Sequence, residues 1–179
     1  MSGMTALPSI PVLETEHLRL RAPMLSDFGA YAAFRASERS RIVGGPYSEW
    51  SSFSDFSAMI GHWALRGFGR WMVADRTSDA PLGVVGPFMP YGWPEPEIAW
   101  TVFDGAEGRG VAHEAALAAR SFAYQTLGWK TAISMIVAEN TRSQALARRL
   151  GATPDGTFRH AEFGDFTIWR HPGPEEAPR

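Results

Sequence analysis

The sequence predicts an α/β (α+β) domain around a mixed central sheet, and three observations carry that expectation. Segments of alternating apolar residues and segments of helical period follow one another in the order strand, helices, three strands, helix, strand, helix, strands, with no internal repeat. A short glycine turn, Glu107-Gly108-Arg109-Gly110, joins an apolar strand directly to an alanine-rich helical run. The 179 residues are 45% apolar and include 7 Trp and 11 Phe, enough to fill one sizeable core rather than several small ones.

The elements are justified in turn. Around Leu18, Leu20 and Ala22 the alternation predicts a strand ended by Pro23. The stretch LSDFGAYAAFRAS reads as a helix capped by Ser26 or Asp27, with Phe28, Tyr31, Ala32 and Phe34 facing inward. A second helical region runs through SEWSSFSDFSAMIGHWALRG and closes at Gly67. Trp71 and Val73 alternate on one strand, DRTSD turns, and Leu82, Val84 and Val85 return on the next. EIAWTVFD is the fourth strand, with Ile98, Trp100 and Val102 on one face. A helix from about Val111 to Leu127 stops at Gly128, KTAISMIVA is a strand, and TRSQALARRLG is a short helix ended by Gly151. Two closing strands turn near Gly164. Residues 1–11 are expected to be a flexible leader, 12–170 a single domain, and 171–179, polar and proline-rich, a disordered tail.

Composition narrows the function classes. The net charge of -2 argues against a nucleic-acid partner. No cysteine is present, which removes disulfides, zinc thiolates and a cysteine nucleophile. The histidines at 17, 62, 113, 160 and 171 have no metal-ligand spacing, so no metal is expected. No segment has the length and apolarity of a membrane span, and residues 1–11 lack the form of a secretory signal. A cytoplasmic protein, monomer or homodimer, is the expectation.

The glycine turn is the chemical focus. Unpaired amides at a helix start, reinforced by the helix dipole, make an anion site, and glycines at 108 and 110 let a phosphate approach the backbone. The dinucleotide fingerprint is broken by His113, and no Gly-Lys-Ser/Thr follows for a P-loop. A plain tight turn is the alternative.

Glu107-Gly108-Arg109-Gly110-Val111-Ala112, followed by His113-Glu114-Ala115, resembles the acetyl-CoA motif of the GNAT superfamily of N-acetyltransferases, in the form usual for its RimJ/RimL-like branch. LETEHLRLRAPMLSDFGAY, EIAWTVFD and VAENTRSQALARRLGA resemble three further stretches of that branch in the same order. The resemblance runs from about Leu13 to Trp169. It implies the GNAT fold, a mostly antiparallel sheet of about six to seven strands flanked by helices. It also implies acetyl transfer from acetyl-CoA to a primary amine, a protein N-terminus or a small molecule, by direct attack and without an acetyl-enzyme.

The resemblance implies roles residue by residue. Glu107, Gly108, Arg109, Gly110, Val111 and Ala112 would cradle the coenzyme pyrophosphate through their amides, with Arg109 and Arg142 adding charge. Glu107 departs from the family's usual Gln or Arg, and is tolerable there if its carboxylate points to solvent. Thr101, Val102 and Phe103 would lie beside the thioester and pantetheine arm, where a bulge frees an amide to polarise the carbonyl. Glu97 would be the proton acceptor for the amine, with Glu95 the weaker alternative. Thr141 and Gln144 fit a capping box, which would leave Asn140 free for the ligand. The tyrosine many family members use as general acid is Ala147 here, and Ser143 could take that role. An acyl-CoA-binding sensor without turnover is the second functional reading. An acetyltransferase-like toxin acting on charged tRNA is a third, disfavoured by the charge.

Overall fold

The computed structural model of the chain describes residues 9–176. One sheet holds β1 (Leu13–Glu14), β2 (Leu18–Arg21), β3 (Trp71–Asp75), β4 (Pro81–Phe88), β5 (Glu97–Val102), β6 (Ile133–Ile136), β7 (Thr153–His160) and β8 (Gly164–Arg170). The helices are α1 (Phe28–Ala36), α2 (Glu49–Arg66), α3 (Val111–Gln125) and α4 (Thr141–Arg149), with 3-10 turns at Leu25–Asp27 and Glu38–Val43. The spatial order is β1-β2-β3-β4-β5-β6-β8-β7. Every pairing is antiparallel except β5 with β6. This is the expected mixed, mostly antiparallel sheet, with eight strands instead of six or seven. The extra strand arises because the first expected strand folds back on itself. Thr15 N donates to Leu18 O at 2.9 Å, and Leu13 pairs with Leu20.

Two apolar clusters cover the two faces of the sheet, and the period of 2 along β3 divides its residues between them. Trp71 and Val73 join Leu20, Val85 and Ile98 under α3, whose Ala115, Ala116, Ala119 and Ala123 are buried against them. Met72 joins Val84 and Phe103 under Tyr31 and Phe34 of α1 and Phe56 and Met59 of α2. The alanine face lets α3 lie close to the sheet, which sets the position of the turn that precedes it.

Helix α2 begins and ends as the sequence requires. Ser48 Oγ accepts from Ser51 N at 3.1 Å, and Gly67 closes the helix at φ +74°. Asp27 precedes α1 but does not cap it. Its carboxylate receives the Arg21 guanidinium in two parallel bonds of 2.8 and 2.9 Å and the Met24 amide at 2.8 Å. Both side chains are nearly excluded from solvent. Asp27→Ala is therefore expected to cost about 3 kcal/mol in urea unfolding, because it strands a buried guanidinium. Asp79, which also bonds Arg21 Nε at 3.1 Å, holds the loss at that level. A cost below about 1 kcal/mol would show that Asp79 alone satisfies Arg21.

Both expected termini need revision. Trp71 Nε1 donates to Pro11 O at 2.7 Å and Ile10 packs on the core, so the end of the leader is docked. Residues 1–8 lie outside the described residues. At the other end His171 is 2% exposed and Tyr124 Oη donates to Pro172 O at 2.8 Å. The expected tail thus starts inside the core, and only its last three residues, 177–179, lie outside the description.

Candidate active site

The cleft of the molecule is made by strands that part. β5 and β6 run parallel and share the single register pair Glu97↔Ile133. Past it, side chains replace the missing ladder. Met135 N donates to Glu97 Oε2 at 2.9 Å, and Ser134 Oγ donates to Ile98 O at 2.6 Å. A directed chain stands behind Ser134. Arg120 Nη1 is 3.2 Å from His171 Nδ1, and His171 Nε2 is 2.9 Å from Ser134 Oγ. Since a guanidinium can only donate, His171 accepts at Nδ1 and carries its proton on Nε2. Burial and the neighbouring Arg120 charge push its pKa down to about 3, so it is neutral and the chain keeps one direction.

The divergence opens a cleft of about 1000 Å³. Trp100, Thr101 and Val102 of β5 form one wall, and Asn140, Thr141, Arg142 and Ser143 at the start of α4 form the other. Gly108, Gly110, Ala112 and His113 line one end, and Glu38, Arg39, Ile42 and Val43 close over the top. Trp100 Nε1 donates to Ser143 Oγ at 3.1 Å, which ties the two walls together.

At the glycine end the backbone is prepared for an anion. Gly108 and Gly110 sit at φ +72° and +81°, the left-handed region that other residues enter at a cost, and a Cβ on either would meet no atom within 4 Å. The first amide of the helix to reach a carbonyl of the turn is Glu114, bonded to Gly110 O at 3.0 Å. The amides before it belong to the unpaired first turn. The space and the donors fit a diphosphate.

Several residues stand elsewhere than the sequence implied. The β5 edge facing β4 has no bulge, and its six pairs run without interruption. Phe103 N donates to Leu82 O at 2.8 Å and the ring is buried against Phe34, so neither lies free beside a ligand. It is the parting of β5 from β6 that turns Val102 toward the cleft. Val111 buries its side chain in the core and offers only its backbone. Arg109 is exposed and outside the cleft lining. Glu107 points inward, bonded to Arg39 and, at 2.5 Å, to Arg142. Asn140, and not Thr141, caps α4, with Oδ1 accepting from Ser143 N at 3.1 Å. Gln144 bonds Ala138 O at 2.9 Å instead of closing a capping box. Asn140 lines the cleft all the same, and its amide nitrogen has no acceptor among the described residues.

Glu97 lies behind the cleft. It is 5% exposed, and its Oε1 accepts from Trp93 Nε1 at 2.8 Å. Burial pushes its pKa up to about 7 despite these donors. It shares a strand face with Thr101, about 13 Å along β5. Glu95 is spent on Arg170, with bonds of 2.6 and 2.8 Å. Ala147 is fully buried beside Ile136 and Trp169. Sequence reasoning missed Glu38, Arg39, Ile42 and Val43. ERSRIV has no helical or strand period to mark it, and only the chain's return over β5 brings it to the cleft.

The family model for the acetyltransferase (GNAT) domain matches residues 17–153, the span that holds the splayed strand pair, the glycine turn and the helix start. The chain belongs to the GNAT acetyltransferase family. A crystal structure of an acetyltransferase from Agrobacterium tumefaciens str. C58 is 37% identical with a TM-score of 0.84, over 92% of this chain and 95% of that one. Two further structures share the fold at lower identity. RimL, a ribosomal L7/L12 alpha-N-protein acetyltransferase, is 15% identical with a TM-score of 0.74, over 90% of this chain and 93% of its own. The ribosomal-protein-S5-alanine acetyltransferase from Vibrio fischeri is 13% identical with a TM-score of 0.68, over 94% and 100%. GNAT acetyltransferases use acetyl-CoA as co-substrate. Among the described residues no helix is long and apolar enough to cross a membrane.

Proposed function

We propose that this GNAT protein transfers the acetyl group of acetyl-CoA to a primary amine, as the RimJ/RimL-like resemblance implies, with a protein N-terminus or a small molecule as acceptor. The observation that carries the reading is the single cleft running from the glycine turn to the parted edge of β5. The amides of Glu107 to Ala112 would hold the pyrophosphate at one end. The pantetheine arm would lie along Thr101 and Val102, in the place β6 leaves open. The Asn140 side-chain amide would donate to that arm or to a water beside it.

At the other end the amine attacks the thioester carbon, the C–S bond breaks, and the thiolate leaves. A cleft-facing backbone N–H of β5 would polarise the carbonyl. The Ser143 hydroxyl accepts from Trp100 and keeps its own proton, which it can give to the departing sulfur. Because a thiolate is a stable leaving group, this help is worth less than general acids usually contribute. Ser143→Ala is accordingly expected to lower kcat about tenfold with little change in the KM for acetyl-CoA; an unchanged kcat would remove Ser143 from the chemistry. Glu97, with a pKa near neutrality, is the proposed terminal acceptor of the amine proton, through water along the Thr101 face.

The test is calorimetric titration with acetyl-CoA, followed by turnover with a panel of amines and N-terminal peptides. Tight binding that needs the pyrophosphate, and CoA release that needs an amine, support the reading. Binding without release under any acceptor would favour a sensor, and a folded protein that does not bind would overturn the coenzyme site.

A further inference from the structure

Glu107 carries a negative charge where its family usually places a neutral Gln or a positive Arg, yet it is not turned away. Its carboxylate joins two guanidiniums from distant parts of the chain. Arg39 comes from the 3-10 turn Glu38–Val43, and Arg142 from the first turn of α4. Arg39 also pairs with Asp104, and its Nη2 lies 3.3 Å from Val102 O. That carbonyl belongs to the β5 edge that parts from β6. One chain of contacts therefore crosses the cleft from its cover, through the glycine turn, to α4.

The geometry points to a ligand exchange: the Glu107 carboxylate stands in for a coenzyme phosphate, and Arg39 and Arg142 pass from it to the arriving diphosphate. This rests on the coenzyme reading above. Two observations and one rule of ion pairing support it. Both guanidiniums line the same cleft as Gly108 and Gly110, so the charges and the amides converge on one volume. A carboxylate and a phosphate oxygen are interchangeable partners for a guanidinium fork, and the phosphate carries more charge. Arg142 is 76% exposed and Glu107 37%, so both side chains can move without crossing packed core. Arg39 would keep Asp104 as it turns, which holds the 3-10 turn near β5 while Val102 O is freed for the pantetheine arm.

In this arrangement Glu107 is a competitor and lowers coenzyme affinity, where the glutamine or arginine usual in the family would assist. Removing its charge has an effect of defined sign. Glu107→Gln is expected to bind CoA about three- to tenfold more tightly than wild type by titration calorimetry at low salt, because two cations are released to the coenzyme. Arg39→Gln is expected to bind about three- to tenfold more weakly. The gain from Glu107→Gln should shrink to less than about twofold in an Arg39→Gln/Arg142→Gln background. Circular dichroism and thermal melts confirm folding of each variant, and adenosine, which has no phosphate, should show none of these changes.

Glu107→Gln binding CoA as wild type does, or more weakly, would overturn the exchange. So would a full gain that persists without the two arginines, since that would be general charge removal. Failure of wild type and all variants to bind CoA would overturn the coenzyme reading itself, and the exchange with it.

Discussion

Placing valine at position 110 is expected to weaken coenzyme A binding roughly thirtyfold, the loss of one to two charge-assisted hydrogen bonds, while the protein stays folded. Gly110 is the residue just before α3, at φ +81°, and it lines the cleft. A side chain there would meet no protein atom within 4 Å, so its bulk would enter the space proposed for the pyrophosphate. Valine also strains a left-handed backbone by about 1–2 kcal/mol, which could disturb binding indirectly. Gly105 separates the two effects. It has the same φ of +81°, also has no atom within 4 Å of a Cβ, and stands outside the cleft lining. Gly105→Val should share the stability loss and keep the affinity. Equal affinities for Gly110→Val and Gly105→Val, measured by calorimetry alongside thermal melts, would sink the phosphate assignment of the turn.

Glu97→Gln is expected to remove a loss of stability that wild type undergoes as pH rises toward 7. The carboxyl is fully buried, and its pKa is raised from an ordinary 4.5 to about 7, chiefly by desolvation. Donation from Met135 N and Trp93 Nε1 and the charge of Arg70 oppose that rise without cancelling it. A folded-state value above the unfolded one means the protonated form is favoured in the fold. The contribution is therefore fully present below about pH 4.5 and is lost as pH rises through about 7. The span corresponds to about 3 kcal/mol for a group with no solvent screening. Urea unfolding at intervals from pH 4.5 to 8 should show this decline in the stability of wild type relative to Glu97→Gln; the opposite contribution of His171, whose pKa is depressed, is common to both and cancels in the difference. The same slope in both would mean that Glu97 does not titrate in this range. Rates add a separate readout. If Glu97 also receives the amine proton, the wild-type kcat should rise through about pH 7 and the variant should lack that limb. A kcat profile common to both would confine Glu97 to holding β5 against Met135.

Much of the fold was legible in the sequence. Local signals were strong where each element satisfies itself. Ser48 and Gly67 mark the ends of α2, the alternation of Trp71 and Val73 sets the buried face of β3, and the alanines of α3 announce a helix pressed on a sheet. The glycine turn was legible for the same reason, since left-handed backbone at 108 and 110 needs glycine whatever surrounds it. Where side chains chose between partners, local rules failed. Asp27 gave up a helix cap for a buried arginine, Asn140 took the cap assigned to Thr141, and His171 left an apparent tail for a core site prepared by Arg120 and Ser134.

By itself the sequence determined the order of elements, which faces are buried, where the backbone must turn left-handed, and the motifs that mark the family. These depend on residues within a helical turn or two of one another. Only the tertiary structure decided where β5 leaves β6, that Glu97 is shut away behind Trp93, and that Arg39 lies across the cleft from Arg142 with Glu107 between them. Those outcomes are set by competition among groups tens of residues apart. A carboxylate, a guanidinium or an amide nitrogen takes whichever partner the packed core brings within reach, and nothing in its own neighbourhood of sequence records which one that will be.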